Sequence, residues 1–169
     1  ITSDTDYDAT ITGTNDENGI ANLNALAGET SGTVTATLNN LTAAQADTLS
    51  TAATDAISVT LEAGATTASV LNSIDAKTSA GIDATSISAI NGSIGGITTA
   101  RNATSISTDT DYTSTITGTL SNTDIVNLNA LAVETGGVVT AALTVASDDQ
   151  ANTILTSATD IITLTITDA

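Results

Sequence analysis

Residues 4–26, DTDYDATITGTNDENGIANLNAL, return as residues 109–131, DTDYTSTITGTLSNTDIVNLNAL. They open a gap-free match between residues 4–61 and 109–166, at a constant offset of 105 (109 − 4), in which more than half of the positions are identical. A shorter period of about 26 residues lies inside the long one, and periods of this length are typical of stacked solenoid units. Repetition on this scale favours a structural protein, because an active site needs unique residues.

Apolar and polar residues alternate in several short runs, which predicts half-buried β-strands. The positions between the apolar residues are mostly Thr, so each strand has one apolar and one hydroxylated face. A less regular run at residues 82–87 slips the alternation by one residue and predicts a bulge. The clearest strands are residues 7–11, 34–38, 57–61, 112–116, 139–143 and 162–166.

Apolar residues spaced by three or four predict short helices between the strands. The set Ile20, Leu23 and Leu26 recurs 105 residues later in the second copy. Similar spacing at residues 70–74 and an Ala-rich stretch at 41–53 predict two more helices. A helix at 94–101 is also expected, although Gly95 and Gly96 weaken it.

This alternation, in units of about 25 residues, predicts an α/β solenoid with a parallel sheet of about seven short strands and the short helices on the opposite side. Residues 1–105 are expected to form a first super-repeat of four solenoid units, and residues 106–169 the start of a second one, continuous with the first. The rival prediction is an all-β chain, either a β-solenoid or tandem β-sandwiches, because a sandwich domain has about 100 residues. The short internal period, the Ala-rich stretches and the absence of proline favour the α/β solenoid.

The composition excludes several classes of function. A net charge of −17, with Lys77 and Arg101 as the only basic residues, excludes nucleic acid and anionic lipid as partners. No run approaches the roughly 18 apolar residues of a membrane span, so no membrane insertion is expected. Without His or Cys there is no imidazole base and no thiolate, and we expect no enzyme. The scarcity of Lys and Arg among many Thr, Ser, Asn and Asp residues indicates an extracellular or cell-surface protein.

Five acidic residues are the candidate metal ligands: Asp6, Asp55, Asp83, Asp111 and Asp160, each at or just before the start of a predicted strand. Asp55, Asp83 and Asp111 belong to three consecutive units, and equivalent positions in a parallel stack lie about 4.8 Å apart. Carboxylates so close repel one another, and Ca²⁺ would relieve the repulsion. The Asp-Thr-Asp sequences at 4–6 and 109–111 would add ligands. The other interpretation is that these acids cap turns and keep the sheet ends soluble.

Two further recurrences each allow two interpretations. The Thr-x-Thr grid resembles the ice-binding faces of antifreeze solenoids, but Thr is also an ordinary residue on an exposed strand face. Asn24, Asn72 and Asn129 take the same place in a Leu-Asn-x-Leu or Leu-Asn-x-Ile sequence. They would either form a hydrogen-bond ladder of Asn side chains between units or simply face water on a helix.

Three strings carry a resemblance to a known class of proteins: TITGT at 10–14, LNSIDAKT at 71–78 and IDATSISAING at 82–92. They resemble the degenerate repeats of very large secreted surface or adhesin-like proteins of cyanobacteria and other aquatic bacteria. The resemblance covers nearly the whole chain. It implies an adhesin, sheath, surface-layer or filament component, and it implies no particular functional residue.

We therefore expect a non-enzymatic extracellular repeat segment of a longer protein. It would act as a stiff spacer or assemble end to end with copies of itself into a filament, surface layer or matrix. The alternative is a calcium-dependent adhesin or an ice- or glycan-binding surface module. Ca²⁺ is the one cofactor that the sequence suggests.

Overall fold

The structure is a computed structural model that describes residues 5–167. Within these residues there are ten β-strands, six α-helices and one 3₁₀ helix, and single strands or pairs of strands are separated by helices. The strands are β1 (Ala9–Asn15), β2 (Val34–Leu41), β3 (Ala56–Leu61), β4 (Gly64–Thr67), β5 (Ile82–Ala84), β6 (Ile87–Asn91), β7 (Ile106–Thr108), β8 (Ser114–Leu120), β9 (Val139–Val145) and β10 (Ile161–Ile166). The helices are α1 (Glu17–Glu29), α2 (Ala43–Ala46), α3 (Ala68–Asp75), α4 (Ile94–Asn102), α5 (Ile125–Glu134) and α6 (Asp148–Ala151), and the 3₁₀ helix is Asn122–Asp124.

The strand pairings found between residues 5 and 167 are all parallel. One sheet has the order β1-β2-β3-β5-β7, a second has the order β10-β9-β8, and a third pairs β4 with β6. Two isolated bridges, Ala89 to Thr113 and Gly92 to Ile116, join the β6 region to the β8 region. The α/β class with parallel strands is therefore confirmed, and the all-β alternative is wrong. The prediction of one sheet of about seven strands is wrong for residues 5–167, where ten strands form three sheets.

Paired strands are close neighbours in the sequence, so the pairings follow the chain from one end to the other. Ala9 pairs with Val34, an offset of 25 residues (34 − 9), and Thr35 pairs with Ala56, an offset of 21 (56 − 35). We call each successive strand position a level. The seven levels are β1, β2, β3 with β4, β5 with β6, β7 with β8, β9, and β10.

The hydrophobic core is one cluster of Ile, Leu, Val and Ala side chains together with Tyr112. Alternate residues of the inner strands are buried, as the sequence pattern predicts; in β3 these are Ile57, Val59 and Leu61. The helices bury the residues spaced by three or four, such as Leu128 and Leu131 in α5. Because the aliphatic faces of strands and helices meet, neighbouring levels share one core.

The Ala-rich stretch at 41–53 is helical only over α2, so the longer helix expected there is wrong. Thr42 caps its start by accepting the N–H of Gln45. Just beyond α2, the carbonyl of Thr48 and the N–H of Ser50 are bonded to the side chain of Asn24 on the preceding level. These backbone groups hold neighbouring levels together instead of continuing the helix.

The middle run at 82–87 is two strands with a turn between them, rather than one strand with a bulge. Asp83 accepts hydrogen bonds from the N–H and the hydroxyl of Thr85, which turns the chain between β5 and β6. The register shifts by one residue just after the run, between Ile87 and Ala89 of β6. Larger shifts lie between Thr10 and Thr14 of β1 and at the equivalent place in β8. Gly13 (φ 91°) and Gly118 (φ 84°) supply the left-handed backbone there, which explains the repeated TITGT string.

Candidate functional site

Asp55, a predicted calcium ligand, is a buried carboxylate that is only 3% exposed. Its Oδ1 accepts the N–H of Val34 at 2.8 Å, and its Oδ2 accepts the N–H of Ala52 at 2.7 Å. The first bond joins two levels and the second closes the turn that leads into β3. Both carboxylate oxygens therefore accept hydrogen bonds from backbone N–H groups, so Asp55 has a structural role.

Asp160 repeats this arrangement 105 residues later. Its Oδ1 accepts the N–H of Val139 at 2.8 Å, and its Oδ2 accepts the N–H of Ser157 at 2.7 Å. Unlike Asp55, Asp160 is only half-buried, because its strand β10 is the last level described. The two copies thus make the same bonds in different surroundings.

Asp83 is exposed on the polar face of the sheet, where β5 runs between β3 and β7. Its neighbours in the register are Thr60 and Ser107, so the expected stack of Asp55, Asp83 and Asp111 is not formed. Hydrogen bonds from the hydroxyl and N–H of Thr85 hold the pKa of Asp83 below its usual range, against a smaller opposing effect of burial. A shallow cavity of about 230 Å³ beside it is lined by Ser58, Val59, Thr60, Gly81, Ile82, Asp83 and Ser107.

Asp6 and Asp111 are both exposed and lie in equivalent loops before β1 and β8. The second Asp-Thr-Asp sequence, residues 109–111, is described in full. In the first, residues 4–6, Asp4 lies outside the described residues. Within residues 5–167, no group of three or more acidic side chains is close enough together to hold a metal ion. Calcium binding by the five acids stays a prediction.

A close backbone approach follows each of these loops. The hydroxyl of Thr30 donates to the carbonyl of Tyr7, and in the second copy the hydroxyl of Thr135 donates to the carbonyl of Tyr112. Two residues after each Thr, a Cβ built on Gly32 or Gly137 would lie only 2.3 Å from the same carbonyl oxygen. Only glycine fits at such a separation, so the repeated Gly is set by the contact between levels.

The three recurrent Asn residues link their own helices to the backbone of the next level; Asn72 does so by one bond, from Nδ2 to the carbonyl of Gly96 at 3.0 Å. Asn24 donates through Nδ2 to the carbonyl of Thr48 and accepts through Oδ1 from the N–H of Ser50, both at 2.9 Å. Asn129 makes the same pair of bonds with Thr153 and Leu155, both at 2.8 Å. The side chains therefore form neither an Asn-to-Asn ladder nor a purely solvated face. We call this two-bond contact the Asn clamp.

Thr78 has the role of Asp55 on the next level, and the sequence pattern gave no sign of it. Its hydroxyl oxygen accepts the N–H of Ile57 at 2.8 Å, and the hydroxyl donates to the carbonyl of Ile57 or Asp55. The acceptor lies 21 residues after the donor in both cases (78 − 57 and 55 − 34). A search for polar residues at that spacing could have found it.

The two basic residues also join levels. Lys77 Nζ lies 2.8 Å from Asp47 Oδ1, and Arg101 Nη1 lies 2.9 Å from Glu134 Oε2. Partial burial raises the pKa of Asp47, but hydrogen bonds from Lys77 and Ser73 and the charge of Lys77 bring it below the usual value. The chain has 19 acidic residues and only these two basic ones, and both basic residues form ion pairs between adjacent levels.

The hydroxylated face is regular over short distances only. Thr10 pairs with Thr35, and Thr115 pairs with Thr140. On the next level Thr35 faces Ala56, so this row ends after two levels, whereas the row of Thr14, Thr37 and Ser58 spans three levels. Extended ice binding would need a longer uninterrupted array than this.

Large apolar side chains are exposed at both ends of the run of levels. Tyr7, beside the first level, is 37% exposed, whereas its copy Tyr112 is 2% exposed. On the last level, Leu164 is 40% exposed, whereas its copy Val59 is 1% exposed. The described residues with large exposed apolar side chains are Tyr7, Val126, Val133, Leu155, Ile161, Leu164 and Ile166; of these, Val126 and Val133 lie on α5 and the others lie near the ends.

Comparison of the chain with protein-family models, curated proteins and solved structures finds no match. None of the helices within residues 5–167 combines the length and apolar character needed to cross a bilayer. The site is therefore interpreted from its own contacts.

Proposed function

We propose that this chain is a structural repeat segment of an extracellular or cell-surface protein, built as an α/β solenoid. It acts as a stiff spacer or as a module that assembles end to end. The observation that carries the proposal is the parallel pairing of strands that lie close together in the sequence, at offsets of 20–25 residues. In a solenoid each unit contacts only its neighbours in the chain, and this pattern fits that rule.

The use of the polar residues supports the same proposal. The buried Asp55, the Asn clamps, Thr78 and both basic residues each bond to an adjacent level. These bonds resist sliding and bending between levels, because a shift would break them and leave the buried N–H groups of Val34 and Ile57 without acceptors. Polar side chains that bond adjacent levels in this way are expected of a protein whose role is to form a stiff, continuous rod.

Catalysis has little support from the same residues. The chain contains no His or Cys, and Asp55, the most buried carboxylate within residues 5–167, has both oxygens bonded to backbone N–H groups. A carboxylate held in this way is poorly placed to accept a substrate proton. We propose that the protein is not an enzyme.

Electron microscopy of the purified protein, with millimolar Ca²⁺ and with EDTA, tests the proposal. Fibres that persist in EDTA would support end-to-end assembly without calcium, and uniform rigid particles would support the spacer role. Fibres or aggregates that dissolve in EDTA would favour the calcium-dependent adhesin. Small-angle scattering from a flexible, expanded chain in both conditions would contradict the structural proposal, because a solenoid of stacked levels is rigid.

A further inference from the structure

We propose that each end of the run of levels binds a polypeptide segment with the sequence pattern of residues 62–108. This inference rests on the proposed solenoid function and names the partner of its two ends. It comes from comparing the two copies of the long repeat. Each copy is covered on the side where the other copy is bare.

The first copy shows what covers the last level. In β3, Ile57, Val59 and Leu61 are buried because β5 pairs alongside, with Val59 opposite Ile82. Ser79 donates its N–H to the carbonyl of Asp55 at 2.7 Å, which extends the contact. The equivalent strand β10 is an edge strand within the described residues, with Leu164 and Ile166 exposed.

The second copy shows what covers the first level. Tyr112 is buried beside Glu134, which Arg101 of the preceding level holds by an ion pair. The hydroxyl of Ser114 donates to the carbonyl of Ile90 at 2.7 Å, so the preceding level also pairs with the strand. In the first copy, Tyr7 and Glu29 are both exposed, and the strand β1 pairs only with β2 among the described residues.

Residues 62–108 make both kinds of contact at once. Their β5 side covers β3 of the first copy, and their β6 and α4 side covers β8 and Tyr112 of the second copy. A further segment of this pattern would therefore fit the bare face of β10 and the bare face of β1 by contacts that the chain already makes. Edge strands with exposed apolar residues are ready templates for such pairing.

Direct stacking of β10 on β1 of a second molecule fits less well. It would bring no residue equivalent to Thr78 or Ile82 to β10, and no arginine to Glu29. It would also place two strongly acidic chains, each with a net charge of −17, end to end. The interposed segment supplies Lys77 and Arg101, the only two cations of the chain.

The experiment joins a second copy of residues 62–108 directly after Ile166, in place of residues 167–169. Hydrogen exchange of the β10 amides, followed by mass spectrometry, should slow at least tenfold relative to the unextended protein. Ile82→Asp in the appended copy should abolish the protection, whereas Ile82→Val there should keep it. Unchanged exchange in β10 with the intact extension would overturn the proposal. So would slow β10 exchange in the unextended protein that depends on its concentration, because a second molecule would then be the occupant.

The other end is tested by joining residues 62–108 before Asp4. Tyr7 should then be protected at least tenfold from nitration by tetranitromethane, and Arg101→Ala in the added copy should weaken the protection. Free reactivity of Tyr7 in this extended chain would overturn the proposal for this end. Electron microscopy of the unextended protein reports on the proposed function independently of either extension.

Discussion

The carboxylate of Asp55 accepts the backbone N–H of Val34, with 2.8 Å between Oδ1 and N, and so joins two levels that lie 21 residues apart. Asp160 and Val139 repeat the contact at the same distance. The repeat therefore preserves a specific interlevel bond as well as a hydrophobic pattern. The acid at this position accepts backbone hydrogen bonds and so has a structural role, independently of any role of the other acids.

Asp55→Ala should lower the free energy of unfolding by about 2–4 kcal/mol, because it leaves the buried N–H of Val34 and the partly buried N–H of Ala52 without acceptors. Asp160→Ala removes the same bonds at a half-buried site, where water can replace them, and should cost less than about 2 kcal/mol. Urea unfolding of both variants measures the difference. Equal losses would contradict the role of burial at Asp55.

Gly137→Ala should destabilise the protein by more than about 2 kcal/mol, because the new Cβ would lie 2.3 Å from the carbonyl oxygen of Tyr112. The matched control is Gly28→Ala in α1, where nothing lies within 4 Å of the new Cβ. That control should be neutral or stabilising by up to about 1 kcal/mol, since Ala favours helix. Thermal unfolding compares the two, and a tolerated Gly137→Ala would show that the levels are less closely packed than described.

Asn24→Ala removes both bonds of one Asn clamp and should cost about 1–2 kcal/mol. Asn24→Asp keeps the acceptor for Ser50 but sets an oxygen against the carbonyl of Thr48, so it should not restore stability. Asn22→Ala, at an exposed position of the same helix, is the control and should change stability by less than about 0.5 kcal/mol. Similar effects at Asn22 and Asn24 would argue against the clamp.

The buried hydroxyl of Tyr112 should make the free energy of unfolding fall at alkaline pH. Burial is the main cause that raises the pKa of its hydroxyl far above the usual value, and the charge and hydrogen bond of Glu134 raise it further. In the unfolded chain the hydroxyl ionises near pH 10. The contribution of Tyr112 is therefore complete below about pH 10 and is lost as the pH rises towards the folded-state pKa, at up to about 1.4 kcal/mol per pH unit.

Tyr112→Phe should remove this part of the pH dependence, whereas Tyr7→Phe should retain it. Urea unfolding of the two variants and the parent protein between pH 8 and pH 11.5 measures the slopes. A Tyr112→Phe variant that loses stability as steeply as the parent above pH 10 would show that the buried hydroxyl is not the responsible group.

Much of the fold could be predicted from the sequence because strand and helix positions depend on local periodicity. The alternation in residues 34–38 and 57–61 matched β2 and β3, and the spacing of Ile20 and Leu23 matched α1. The contacts between levels could not be predicted in the same way. They depend on register, and a register that sets Asp83 beside Thr60 and Ser107 leaves no stack of acids.

The polar contacts illustrate the same limit. The recurrence of Asn24 and Asn129 was visible in the sequence, but their partners are backbone groups, which carry no sequence signal. Thr78 was missed because it replaces Asp55 in the same role with a different residue type. By contrast, the repeated Gly32 and Gly137 were a usable signal, since an invariant glycine within a repeat indicates a close approach.

Distances between spin labels test the stacking of levels most directly. Labels on cysteines introduced at Thr10 and Thr115 lie four levels apart, and labels at Thr10 and Thr163 lie six levels apart. With about 4.8 Å per level, double electron–electron resonance should give a distance of about 19 Å for the first pair of labels and about 29 Å for the second. A Thr10–Thr115 distance beyond about 35 Å, as expected for two separate domains, or a shorter distance for the second pair than for the first, would contradict a single stack of parallel levels.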